Sequence, residues 1–174
     1  MVIDSAVYAG GRRLTPPRSL EETYRSCRGP DRFAWVTLYE PTEEEFVSVA
    51  EEFQLHDLAV DDAIQEHQRP KLERYGDCLF AVLKSALYLE DTKRIQFGEI
   101  HAFVGEDFIV TVRYGEDSAL DEARRRMEGE PDQLRRGPNA VFYEIMRLVI
   151  EGYAPVVEGL ENDKGDRQPF DITY

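Results

Sequence analysis

Residues Leu55–Lys84 read LHDLAVDDAIQEHQRPKLERYGDCLFAVLK, and in them the hydrophobic period changes from helical to extended. Val60, Ala63 and Ile64 recur at helical spacing and predict a short helix from about Leu58 to Glu66, with Asp57 in the capping position. Pro70 stops it, because the residue before a proline is biased away from helix. Lys71–Tyr75 and Cys78–Leu89 then read as strands separated by the turn residues Gly76-Asp77. An acidic helix, a Gln68-Arg69-Pro70-Lys71 elbow and a long apolar strand therefore follow one another directly.

Working outward, Arg94–Val104 and Phe108–Arg113 read as two more strands, punctuated by Glu90–Lys93 and Gly105-Glu106-Asp107. Short turns between consecutive strands imply antiparallel pairing. Upstream, Val2–Tyr8 and Arg12–Thr15 flank Gly10-Gly11, a hairpin turn. Ser19 is placed to cap a helix to about Ser26, with Glu22 at the matching third position. Phe33–Tyr39 (FAWVTLY) suits a buried strand. Thr42 and Glu45 form a capping box for a helix whose Phe46, Val49, Ala50 and Phe53 face the core. Glu43-Glu44-Glu45 then lies at the positive end of that helix dipole, a better account than a metal site. The class is α+β or mixed α/β, a largely antiparallel sheet covered by helices.

Downstream, Ser118–Met127 predicts a helix broken near Gly129-Glu130-Pro131, with a second piece around Leu134. A last helix opens at Pro138. Its Phe142, Met146, Val149, Tyr153, Val156 and Leu160 form a heptad seam, for packing along another helix or on its own domain. Pro155 predicts a bend near Glu151. The seam is lost after Asp163, leaving Lys164–Tyr174 as a tail of uncertain origin: disordered, a remnant of cloning or a native ending. The organisation expected is thus a domain over 1–137, a helix over 138–163 and a tail over 164–174.

With 174 residues and 42% hydrophobic content, the chain is long enough for one domain with a core. Its longest unbroken apolar run, Cys78–Leu83, has six residues, whereas a membrane-crossing helix needs about 20. No signal peptide is visible, so the chain as given reads as soluble. Cys27 and Cys78 have no metal spacing and read as free thiols of a reducing cytosol. The net charge of −14, from 35 acids against 21 bases, opposes nucleic-acid binding and permits cation binding. No glycine-rich phosphate loop, GxSxG or HExxH occurs, so the chain reads as no enzyme.

Between Ala34 and Asp163 the chain resembles the N-terminal cytosolic domain of the CorA family of divalent-cation transporters. The resemblance is carried by His56, Leu58, Asp61-Asp62 and Gln68-Arg69-Pro70-Lys71, and by Tyr153 and Glu158-Gly159-Leu160-Glu161 on the last helix. It implies an α/β/α sandwich with a mixed sheet, feeding the start of a long stalk helix that leads to a pore the chain lacks. It also implies a homo-oligomer, a pentamer at full length, at the cytoplasmic face of the membrane and reaching it only through the missing C-terminal region. Weakly bound Mg²⁺, Co²⁺ or another divalent cation, held between neighbouring subunits, would keep such a pore closed. The residues resembling the sensor ligands are Asp61 and Asp62.

That chemistry is reasonable in itself, since Mg²⁺ prefers oxygen ligands and keeps most of its water. On a helix, Asp62 and Glu66 are neighbours, as are Asp61 and Gln65, and opposite Val60 and Ile64 they should be exposed. First-turn acids favoured by the helix dipole are the competing account. Asp57 stands where the family usually has proline. Arg147 stands where the family has an acid, one turn before Glu151; its charge would repel Mg²⁺ or pair with Asp61 or Asp62 across an interface. Two further readings stay open: the cytosolic domain of a ZntB-like zinc transporter, with His56, His67 and His101 to watch, and a stand-alone interaction module built on the seam.

Overall fold

Around Trp35 the side chains alternate, and both sets are buried. Phe33 and Trp35 enter one apolar cluster while Ala34, Val36 and Leu38 enter another. A strand buried on both faces needs a helical layer on each side. The computed structural model describes residues 2–64, 69–92, 94–116, 119–162 and 172–173. Within them the strands are β1 (Val2–Ala9), β2 (Arg12–Arg13), β3 (Arg32–Tyr39), β4 (Lys71–Tyr75), β5 (Cys78–Leu89), β6 (Arg94–Val104), β7 (Phe108–Tyr114) and β8 (Ile172–Thr173). The helices are α1 (Leu20–Cys27), α2 (Glu43–Glu52), α3 (Asp57–Ile64), α4 (Ala119–Gly129), α5 (Pro131–Leu134) and α6 (Pro138–Asn162).

The sheet runs β2-β1-β3-β7-β6-β5-β4, with β8 added to β6. Only β3–β7 and β6–β8 are parallel. One face carries α1, α2 and α3, through Cys27, Phe46, Val49, Phe53, Ala59 and Ala63. The other carries α4, α5 and α6, through Leu120, Met127, Leu134, Val141, Ile145 and Val149. The mixed, mainly antiparallel α/β/α sandwich expected from the sequence is the fold found.

Local details explain the element ends. Gly10 and Gly11 take φ of 55° and 78° to turn β1 into β2. Thr42 and Glu45 close the capping box of α2. Ser19 caps α1, but the Glu22 carboxylate accepts from the Arg18 amide rather than from Ser19, so the box is displaced by one residue. The cap of α3 is His56, not Asp57: its Nδ1 accepts from the Leu58 amide at 3.2 Å, and its carbonyl accepts from Ala59 and Val60. Asp57 is instead the first helical residue.

The last helix packs on its own domain. It lies against β5 and α4, runs as one element through Pro155, and turns Val141, Phe142, Ile145, Val149 and Val156 inward. Tyr143, Ile150 and Val157, spaced by seven, face outward and are exposed. Beyond the part paired to β4 and β7, β5 and β6 continue as a ribbon, joined by β8 at Ile95 and Gln96, and the second half of α6 covers it. Gly152 and Gly159 permit the close approach: a Cβ at Gly152 would sit 3.3 Å from the Ala86 carbonyl oxygen, and one at Gly159 2.6 Å from the Tyr88 ring.

Candidate functional site

α3 is short but firmly seated. Ala59 and Ala63 are buried against the sheet, Val60 and Ile64 are half-buried, and the Tyr114 hydroxyl donates to the Ala63 carbonyl at 3.4 Å. The His56 ring packs 5.2 Å from Tyr75, which ties the start of the helix to β4. The helix therefore presents its acids to the outside from a fixed base.

The two candidate carboxylates are not equivalent. Asp61 is exposed, and among the described residues no hydrogen bond or ion pair engages its side chain. Asp62 is half-buried. One of its oxygens accepts from Lys71 Nζ at 2.6 Å and from the Tyr75 hydroxyl at 3.2 Å. The hydrogen bond from Lys71 holds the Asp62 carboxyl below its ordinary range. Lys71 also stands 3.5 Å from Glu73, and Tyr75 donates to Glu73 at 2.7 Å. The hydrogen bond to Glu73, then burial, then the hydrogen bond to Asp62 raise the Tyr75 phenol.

Sequence reasoning named Asp61 and Asp62 as candidates but missed Lys71, Glu73 and Tyr75 as the setting of Asp62. Their signal was the two-residue period of β4, which puts all three on one face. The elbow at Pro70 then brings that face to Asp62, nine residues back from Lys71. Gln65, Glu66, His67 and Gln68 lie outside the described residues, and so do the pairings expected of Glu66 and Gln65.

Arg147 is engaged on its own helix. It donates to Glu144 at 2.6 Å and to Glu151, the hydrogen bonds to Glu144 being the main cause of its strengthened basicity. Arg126 of α4 joins them, 2.5 Å from Glu122 and 3.7 Å from both Glu144 and Glu151. Two arginines threaded among three glutamates leave no large net charge there, so the bare positive charge expected at Arg147 is largely answered within the chain.

The two histidines among the described residues are engaged elsewhere: His56 caps α3, while His101 is buried and pairs through Nε2 with Glu99. Lys84 pairs with the other oxygen of Glu99. Burial pushes the Glu99 carboxyl up, but these two partners outweigh it and hold the group below its ordinary range. Cys27 and Cys78 are free, and burial pushes both thiols up to about 11. Among the described residues no three His, Cys, Asp or Glu side chains converge as a metal cage, and no helix is long and apolar enough to cross a membrane. A cation at Asp61 and Asp62 would thus meet, among the described residues, a pair of carboxylates and its own water.

A sheet between two helical layers, with an acidic helix at one end and a long closing helix, is the fold of the CorA soluble domain. The soluble domain of CorA from Methanocaldococcus jannaschii superposes with a TM-score of 0.66 at 16% identity, covering 95% of this chain and 64% of that one. The ZntB cytoplasmic domain from Vibrio parahaemolyticus gives 0.60 at 13% identity, covering 77% of this chain and 54% of that one. In sequence, the putative metal ion transporter YfjQ of Bacillus subtilis is 32% identical over 128 residues. Residues 30–167 match the family model described as CorA-like Mg²⁺ transporter protein. The chain belongs to that family of transporters. The match covers 74% of this chain and 39% of the Bacillus relative, so the chain spans only part of that protein's length.

Proposed function

We propose that this chain is the cytosolic regulatory domain of a CorA-like transporter, and that Asp61 and Asp62 are its sensor carboxylates for Mg²⁺ or Co²⁺. The observation that carries this is the exposed carboxylate of Asp61, which no hydrogen bond or ion pair engages among the described residues, beside the half-exposed Asp62 on a helix seated by Ala59 and Ala63. A hard cation that keeps most of its water needs only one or two carboxylates per side and binds loosely. The net charge of −14 raises the local concentration of cations around the pair. Asp61 points away from its own core, where a carboxylate from a second copy can reach the same ion. Homo-oligomers, pentameric at full length, supply that second copy. The outward row of Tyr143, Ile150 and Val157 on α6 offers an apolar face for such an assembly.

Zinc suits this chain less well. Among the described residues, the softer imidazole ligands that zinc favours are engaged as a helix cap at His56 and with Glu99 at His101.

Thermal unfolding across Mg²⁺ concentrations, at fixed ionic strength, tests the sensor. Saturation at 100 times the dissociation constant raises stability by about 2.7 kcal/mol. A saturable rise in wild type that is absent in Asp61→Ala/Asp62→Ala supports the reading. Equal responses in the two proteins, or none in either up to tens of millimolar, sink it.

A further inference from the structure

Asp62 already holds a cation, one supplied by the chain itself. The Lys71 ammonium lies 2.6 Å from Asp62 Oδ2 and 3.5 Å from Glu73 Oε2. Tyr75 is shared in the same way, with its hydroxyl 3.2 Å from Asp62 and 2.7 Å from Glu73. The Lys71 ammonium also lies over the Phe80 ring, 5.4 Å from Nζ to the centroid, a cation–π contact that favours its staying near both acids. Lys71, Glu73 and Tyr75 stand on one face of β4, an edge strand paired only with β5 among the described residues. On the opposite face, Arg74 is exposed and makes no ion pair among the described residues.

We propose that Lys71 is a tethered competitor that sets the concentration at which a divalent cation occupies Asp62. This rests on the reading of Asp61 and Asp62 as the cation's ligands. An ammonium and a hydrated divalent ion want the same oxygen lone pairs, and they repel one another. The ion therefore enters as Lys71 leaves. Glu73 receives the displaced ammonium without a large movement, since the two are already within ion-pair distance, and Tyr75 turns its hydroxyl fully to Glu73. The site has two arrangements, Lys71 on Asp62 or Lys71 on Glu73, and only the divalent ion favours the second. Such exchange converts a simple carboxylate pair into a threshold device.

Displacement of Mn²⁺ by Mg²⁺, followed through the free Mn²⁺ electron paramagnetic resonance signal at fixed ionic strength, measures the exchange in the purified chain. Lys71→Met tightens binding about ten-fold, the factor equivalent to roughly 1.4 kcal/mol of relieved competition. Glu73→Gln acts in the opposite direction and weakens binding about three-fold, because the displaced ammonium loses its alternative acceptor. Arg74→Met removes the same charge from the other face and changes affinity less than about two-fold, screened as a surface charge is. Circular dichroism confirms that each variant folds; should Lys71→Met fail to fold, the sign of the Glu73→Gln effect decides.

If Asp61→Asn/Asp62→Asn binds Mn²⁺ as the wild type does, the acidic pair is not the site and the proposal falls with it. If that variant loses binding while Lys71→Met is unchanged or weaker, or Arg74→Met tightens as much as Lys71→Met, the site stands and the competitor does not.

Discussion

At Glu99 a buried carboxylate takes Lys84 on one oxygen and His101 on the other, at 5% exposure. Its carboxyl is held below the ordinary value of 4.5. A group depressed on folding contributes stability that is present above its unfolded pKa and is lost as pH falls through its folded pKa. Glu99→Gln should therefore lower the unfolding free energy at pH 7 by about 2–3 kcal/mol, since it removes the negative charge and one of the two oxygens that Lys84 and His101 use. Urea denaturation at pH 7 and near pH 4 checks this: the deficit should shrink at the lower pH. A constant deficit would mean lost packing rather than lost charge. Asp62 is depressed for a similar reason, but it and Lys71 keep side-chain exposures of 32% and 22%. Asp62→Asn should accordingly cost less than about 1 kcal/mol, so a loss of cation binding in that variant reports on the site and not on the fold.

The elements differ in how openly the sequence announces them. The capping box at Thr42, the strand limits of β4, β5 and β6 and the start of α6 were all legible, because each depends on residues within one turn or one hairpin. Thr42→Ala should cost about 1 kcal/mol, read as a shift in the urea midpoint. Other features depend on partners far along the chain. His56 as the cap of α3 lies outside the usual Ser, Thr, Asp and Asn set, and only the fold shows its ring against Tyr75. The inward stripe of α6 also includes Gly152 and Gly159, which carry no apolar signal, so a seam read from large side chains caught Phe142, Val149 and Val156 but not the two glycines. Gly129→Ala at the end of α4, where a Cβ meets nothing within 4 Å, should gain up to about 1 kcal/mol from helix propensity. Gly159→Ala should forfeit that gain against Tyr88. A double-mutant cycle with Tyr88→Ala checks it, and a coupling of about 1 kcal/mol is expected; zero coupling would mean that the ring simply swings aside.

For the whole molecule, two apolar layers on one sheet set the architecture, and excess negative charge works against it. A chain with net charge −14 repels itself when compact. Sodium chloride raised from about 20 to 300 mM screens that repulsion and should lift the thermal midpoint by a few degrees in wild type and in Asp61→Ala/Asp62→Ala alike. A rise confined to wild type would assign the effect to the acidic pair. This is the reason for holding ionic strength constant in every Mg²⁺ titration. The sandwich itself could be read from the sequence, since alternating apolar strands and amphipathic helices leave few other ways to bury both faces. The surroundings of Asp62 could not be read there, because they form only when β4 folds back beneath α3.

The glycines of α6 also bear on how the molecule carries load. With Ala86 and Tyr88 seated against Gly152 and Gly159, the helix and the ribbon meet like a key in its wards. Sliding α6 along its axis by a turn would bring Leu148 or Val156 to the place of Gly152, and Pro155 to that of Gly159, where a Cβ crowds the Ala86 carbonyl and the Tyr88 ring. The rod thus has one register, and a pull on its far end is not absorbed as slack. It passes into β5, whose Val82 is the backbone partner of Lys71. One hydrogen-bonded strand therefore separates a mechanical tug on the long helix from the ammonium that sits on Asp62.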